Sequence, residues 1–190
     1  MRRVIACALM MTLLLLSACG GENAASKDFE TFRETLSGMD SLTLQANVTS
    51  LAGDEIFTCR LGYEWYREGD KALVTVIEPE SVKGVKAKMS EGKWELGYNT
   101  VLLSSPDLER QSLAPITAPR RVVSSWLDAP LIAACYEQYE EQKLVRATLS
   151  GEDEGQTVYE LWFMRESFLP VRAEIAENGQ TVIKVDFIYE

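Results

Sequence analysis

The chain's 190 residues include no histidine. The commonest general base and the commonest metal ligand are therefore missing. Ser–His and Cys–His pairs and a histidine-based zinc site are excluded within the chain. Asp/Glu chemistry remains open, as in a carboxylate-based hydrolase of cell-wall sugars, but 29 acidic residues give no selective signal. Such an enzyme needs two carboxyls across a cleft, ~5 or ~6.5–9.5 Å apart, and no motif singles out a pair. Glu137 with Glu140-Glu141, and Glu152-Asp153-Glu154, invite calcium. A calcium site wants about six to eight oxygens at loop spacing, and no EF-hand pattern is present. Gly151 and Gly155 bracket the second cluster, which reads as a solvated loop. Arg120-Arg121 could meet a phosphate but reads first as a solvated pair. Cys59 and Cys135 sit in apolar stretches, where a disulfide and two buried reduced thiols are both open. A catalytic dithiol is disfavoured by the lack of a C-x-x-C context. No catalytic residue, cofactor or metal is expected.

Cys19 offers a different chemistry, that of a thiol to be acylated. Met1-Arg2-Arg3 and an uncharged run from Val4 to Ala18 precede it, ending in Leu16-Ser17-Ala18-Cys19. Basic residues, an apolar stretch and small residues before a cut describe a secretory signal. The run is shorter than the ~20 residues a membrane-spanning helix needs. Leu-Ser-Ala-Cys resembles the bacterial lipobox, whose cysteine takes a diacylglyceryl group and becomes the first mature residue. The organisation expected is a signal peptide over 1–18, a lipidated cysteine and flexible tether over 19–27, and one domain over 28–190. The protein is expected at the cell membrane, lipid-anchored through Cys19 on the extracytoplasmic face, and monomeric. Each buried methylene of an anchor contributes ~0.8 kcal/mol.

The chain carries a net charge of −10, made two units more negative by loss of Arg2 and Arg3. Such a chain repels phosphate backbones, so nucleic-acid binding is excluded.

The elements that must position these residues read as mainly β. A first helix is expected after a cap at Ser26 or Asp28, with Phe29, Phe32, Leu36 and Met39 on one side and Gly38 near its end. From Leu42 the period changes to two. Leu42, Leu44, Ala46 and Val48 form one face, then Phe57, Cys59, Leu61, Tyr63 and Trp65 another. Further strands are expected at 71–78, 82–90, 93–98, 100–104, 132–139, 143–150, 157–164, 170–177 and 180–189. Ser105–Pro119 reads as a loop, and a second helix fits Pro119–Asp128 with proline at a tolerated early position. Asn178-Gly179 is a two-residue hairpin turn. About ten alternating strands favour one large curved antiparallel sheet, with two amphipathic helices covering its apolar concave face. An incompletely closed barrel with a helical lid leaves room for an apolar ligand.

Three fragments then fit a known family. They are Leu169-Pro170-Val171-Arg172-Ala173-Glu174-Ile175 followed by Asn178-Gly179-Gln180, Val76-Ile77-Glu78-Pro79-Glu80, and Leu161-Trp162-Phe163 ahead of Leu169-Pro170. Their order resembles the lipoprotein-carrier (LolA/LolB-like) superfamily, of the membrane-anchored outer-membrane-lipoprotein-sorting type. The resemblance implies a half-open β-barrel whose lidded cavity holds the acyl chains of a lipid or acylated polypeptide, without catalysis. Candidate cavity residues are Leu61, Tyr63, Trp65, Val123, Trp126, Leu127, Leu161, Phe163 and Phe187, with Trp126 on a movable lid. The rival to a carrier is an envelope sensor or adaptor that binds a partner protein with the same fold.

Overall fold

The computed structural model describes residues 20–52, 55–98, 101–104, 114–139, 141–151 and 156–189. Cys19 and Glu152-Asp153-Glu154 lie outside these residues.

The described residues form one antiparallel sheet of eleven strands. Helix α1 (Gly20–Ser37) comes first. Strands β1 (Ser41–Ala52), β2 (Glu55–Tyr66), β3 (Lys71–Glu78), β4 (Lys86–Ser90), β5 (Lys93–Tyr98) and β6 (Val101–Ser104) follow. Helix α2 (Ala114–Asp128) separates them from β7 (Leu131–Tyr139), β8 (Gln142–Ser150), β9 (Thr157–Met164), β10 (Pro170–Glu177) and β11 (Gln180–Ile188). The spatial order is β6-β5-β4-β3-β2-β1-β11-β10-β9-β8-β7, so two meanders meet where β1 pairs with β11.

Tight turns set the hairpin registers. Asn178 and Gly179 have φ of 52° and 77°, and Glu91 and Gly92 have 53° and 72°. Positive φ at both central residues matches the right-handed twist of the flanking strands. Alternation then delivers one dry face. Ala72, Val74 and Val76 of β3, Val145, Ala147 and Leu149 of β8, and Ile183 and Val185 of β11 are all buried.

Both helices lie on that face. In α1, Ala25, Phe29, Phe32 and Leu36 recur at helical spacing and are at most 4% exposed. The helix starts at Gly20, well before the expected cap, and so takes in the segment read as a tether. Arg67 at the β2–β3 turn donates to the carbonyls of Met39, Leu36 and Ser37, satisfying the orphan carbonyls at the end of α1. Helix α2 also starts earlier than expected, at Ala114, so Pro119 lies inside it. The expected strand over 82–90 is shortened. Glu80–Val82 forms a 3-10 turn and Gly84 takes φ of 83°, which delays β4 to Lys86.

The cysteines are resolved in favour of thiols: Cys59 and Cys135 are free, the first buried and the second exposed. They sit on β2 and β7, with five strands between them in the sheet. A bridge needs Cα atoms within ~7 Å, and neighbouring strands alone are ~4.8 Å apart.

Candidate functional site

The apolar centre is built where both helices meet the sheet. Leu61, Tyr63 and Trp65 rise from β2, and Leu161 and Phe163 from β9, none more than 4% exposed. Val123 and Trp126 descend from α2 and are equally buried, while Leu127 and Phe187 are half-buried. Phe32 of α1 stacks on Phe163 at 4.7 Å between ring centroids and meets Trp126 edge-on at 5.6 Å. Trp126 in turn packs on Phe187 at 5.4 Å. The nine candidate cavity residues thus belong to one continuous apolar core, occupied here by the side chains of α1 and α2.

Three arginines hold α2 in place. Arg33 of α1 donates to the carbonyls of Trp126 (2.9 Å) and Ala129 (2.6 Å), capping the end of α2. Arg120 donates to both carboxylate oxygens of Asp70, at 3.0 and 2.7 Å, in the β2–β3 turn. Arg121 donates to Glu177 at the end of β10, at 3.0 Å. Burial alone would lower the pKa of Arg121, but its hydrogen bonds to Glu177 and Tyr159 outweigh that and leave it raised. Adjacent residues of α2 therefore reach two distant stretches of the sheet. The sequence showed this arginine pair but not its partners, which lie 50 and 56 residues away along the chain.

A cleft of about 660 Å³ opens along this polar flank. Arg120, Arg121, Ser124 and Asp128 of α2 line one side, Asp70 and Trp94 another, and Tyr159 and Glu177 a third. Trp65 Nε1 donates to Asp70 at 3.0 Å, which fixes that carboxylate. The Tyr63 hydroxyl is buried with no hydrogen-bond partner among the described residues. Burial pushes its pKa well above the usual value, with Arg120 lowering it and Asp70 raising it. Among the described residues no cluster of His, Cys, Asp or Glu is arranged to hold a metal. No helix of the described residues is long and apolar enough to cross a membrane.

No protein-family model and no curated protein matches the chain. Solved structures do. LprF from Mycobacterium bovis is 11% identical, covers 89% of this chain and 94% of its own, and superposes with a TM-score of 0.51. A conserved protein from Thermus thermophilus is also 11% identical, with 87% of each chain covered and a TM-score of 0.51. A LolA-superfamily protein from Nitrosomonas europaea is 16% identical over 87% of this chain and 91% of its own, with a TM-score of 0.46. What the two structures at a TM-score of 0.51 share with this chain is the fold, a mainly β architecture of one large open antiparallel sheet with helices on its apolar face.

Proposed function

We propose that this is a membrane-anchored, extracytoplasmic, monomeric lipid-binding protein that holds an acyl chain of a lipid or acylated polypeptide on the concave face beneath α2. No chemical step is involved. The observation that carries this reading is how α2 is seated. It presents Ala118, Val122, Val123 and Trp126 to an apolar sheet while its ties to the sheet at Asp70 and Glu177 are partly exposed ion pairs. An acyl chain offers the sheet the same kind of contact, at ~0.8 kcal/mol per buried methylene. Exposed ion pairs contribute only ~0–1 kcal/mol each, so a long chain can compete with the helix for its seat. Acylation of Cys19, immediately before α1, would hold the domain at a lipid surface.

A phospholipid carrying a diazirine in its acyl chain tests this when cross-linked to the full chain in vesicles. Peptides containing Leu61, Leu161 or Phe163 should be labelled, and labelling confined to the opposite face of the sheet or to residues 1–19 would overturn the reading. The adaptor alternative has one observation in its favour. Strand β7 pairs only with β8 among the described residues, and Ile132 and Tyr139 on it are 58% and 60% exposed. Such an edge is open to a partner's strand.

A further inference from the structure

The outer faces of the two meanders carry their charge in different ways. On the outer face of β7 to β11, Arg146 pairs with Glu160, Arg172 with Asp186 and Lys184 with Glu174. Positive charge there is matched locally. On β3 to β5 it is not. Alternation buries Ala72, Val74 and Val76 of β3, Ala87 and Met89 of β4, and Trp94 of β5. Lys71, Lys86, Lys88 and Lys93 therefore project from the opposite face, and all four are exposed. Among the described lysines only Lys83 and Lys184 form ion pairs, so these four are unmatched.

Strand register gathers them into one strip. Lys86 stands opposite Thr75 and Gly97, Lys88 opposite Leu73 and Glu95, and Lys93 opposite Ser90. Lys71 stands opposite Tyr66, whose ring is 45% exposed. With strands ~4.8 Å apart, the strip is three strands and about 10 Å wide. Nearby acids are few. Glu78 is held by Arg60, and Glu64 accepts a hydrogen bond from Tyr66, which leaves Glu95 and the turn residue Glu91. Four lysines less two glutamates give a local excess of two positive charges, in a chain whose total is −10. Screening acts over ~8 Å at physiological salt, so acids on the far half of the molecule do not cancel this excess. Lysines can serve to guard an exposed sheet edge. Strand β4, however, lies between β3 and β5, and its lysines project from the face.

We propose that this strip rests on an anionic lipid surface. The lysine ammonium groups would meet lipid phosphates, and Tyr66 would lie at headgroup level, where amphipathic rings collect. The proposal rests on the membrane-anchored reading above and deepens it. An anchor keeps the domain near the bilayer, and the strip sets which side of the domain faces it.

Lysine footprinting tests this on the full chain, expressed in a bacterium that acylates lipoproteins and reconstituted in vesicles. Reductive methylation with formaldehyde, a neutral reagent, is read by mass spectrometry. Vesicles of dioleoylphosphatidylcholine are compared with vesicles containing equal parts of dioleoylphosphatidylglycerol. In the mixed vesicles, methylation of Lys71, Lys86, Lys88 and Lys93 should slow ~fivefold or more. It should recover in ~1 M salt, with Lys143 and Lys184 unchanged throughout. Lys86→Gln combined with Lys88→Gln should abolish protection of Lys71 and Lys93 without altering the melting curve. Equal rates in the two vesicle types, or protection centred on Lys143 and Lys184, would overturn the strip. Equal protection by free polyglutamate would overturn the lipid assignment in favour of an acidic polypeptide. Flotation reads the anchor separately. A chain that floats with both vesicle types and shows no protection defeats the strip alone. Flotation only with phosphatidylglycerol supports the strip and counts against the anchor.

Discussion

Helix α1 buries two phenylalanines and a leucine against β7 and β8 and has its last carbonyls tied down by Arg67, whereas α2 inserts one tryptophan among smaller residues and carries Pro119 in its interior. An interior proline forfeits one backbone hydrogen bond and costs ~3 kcal/mol in a helix. What α2 lacks in apolar grip it regains through arginines directed to opposite walls of the half-barrel. Two helices on one apolar face are therefore held in different ways. Burial holds the first, and partly solvated ion pairs assist the second.

That contrast can be broken most directly at Phe32, which contacts both Phe163 and Trp126. Phe32→Ala should cost ~3–5 kcal/mol, from transfer and cavity terms together. In urea denaturation the whole domain should unfold earlier. Trp126→Ala should fall toward the lower end of the same ~3–5 kcal/mol range, because α2 can shift to fill the gap. Hydrogen exchange should then quicken in α2 and leave α1 unchanged. Equal, global losses in the two variants would erase the distinction between the helices. Weaker still, Arg120→Gln and Glu177→Gln should each cost under about 1 kcal/mol, as part-exposed ion pairs do. Salt at ~1 M should mimic them, because screening then acts over ~3 Å.

The smallest effect is also the most local. Cys59 lies on β2, one of the strands α2 packs on, and burial pushes its thiol from the usual 9.0 up to about 11. In the native protein at pH 8, iodoacetamide should modify the exposed Cys135 and spare Cys59. Modification of Cys59 should quicken in Arg120→Gln if α2 opens over β2. The folded state also holds this proton more tightly than the unfolded one. The resulting stability is complete below about pH 9 and is lost as pH rises through about 11. A Cys59→Ser variant should lack that alkaline slope in a pH series of denaturation curves.

Much of this architecture was legible because period-two alternation and turn chemistry are local. The Asn178-Gly179 hairpin, the faces of β10 and β11, that of β2 from Cys59 to Trp65 though not at the exposed Phe57, and the covering role of both helices follow from neighbouring residues. The helix starts did not. Pro119 marks a helix beginning by its usual preference, yet here packing of Ala118, Val122 and Val123 carries the helix through it. Gly20-Gly21 likewise reads as tether by propensity, yet α1 begins there. The apolar half of the site was visible as stripes of Leu, Phe and Trp. Its polar half was not, because Asp70, Arg120 and Glu177 are brought together only by the curl of the sheet.

The pairing of β1 with β11 also constrains the order of events at birth. The ribosome releases β1 to β6, then β7 to β10, and these segments can form two separate meanders. Neither can be joined to the other until Gln180–Ile188 has emerged, because that last segment is an interior strand lying between β1 and β10. Until then both meanders present a bare inner edge, each a template for pairing with a neighbouring chain. Strand β11, nine residues long, is what closes the seam between the two meanders.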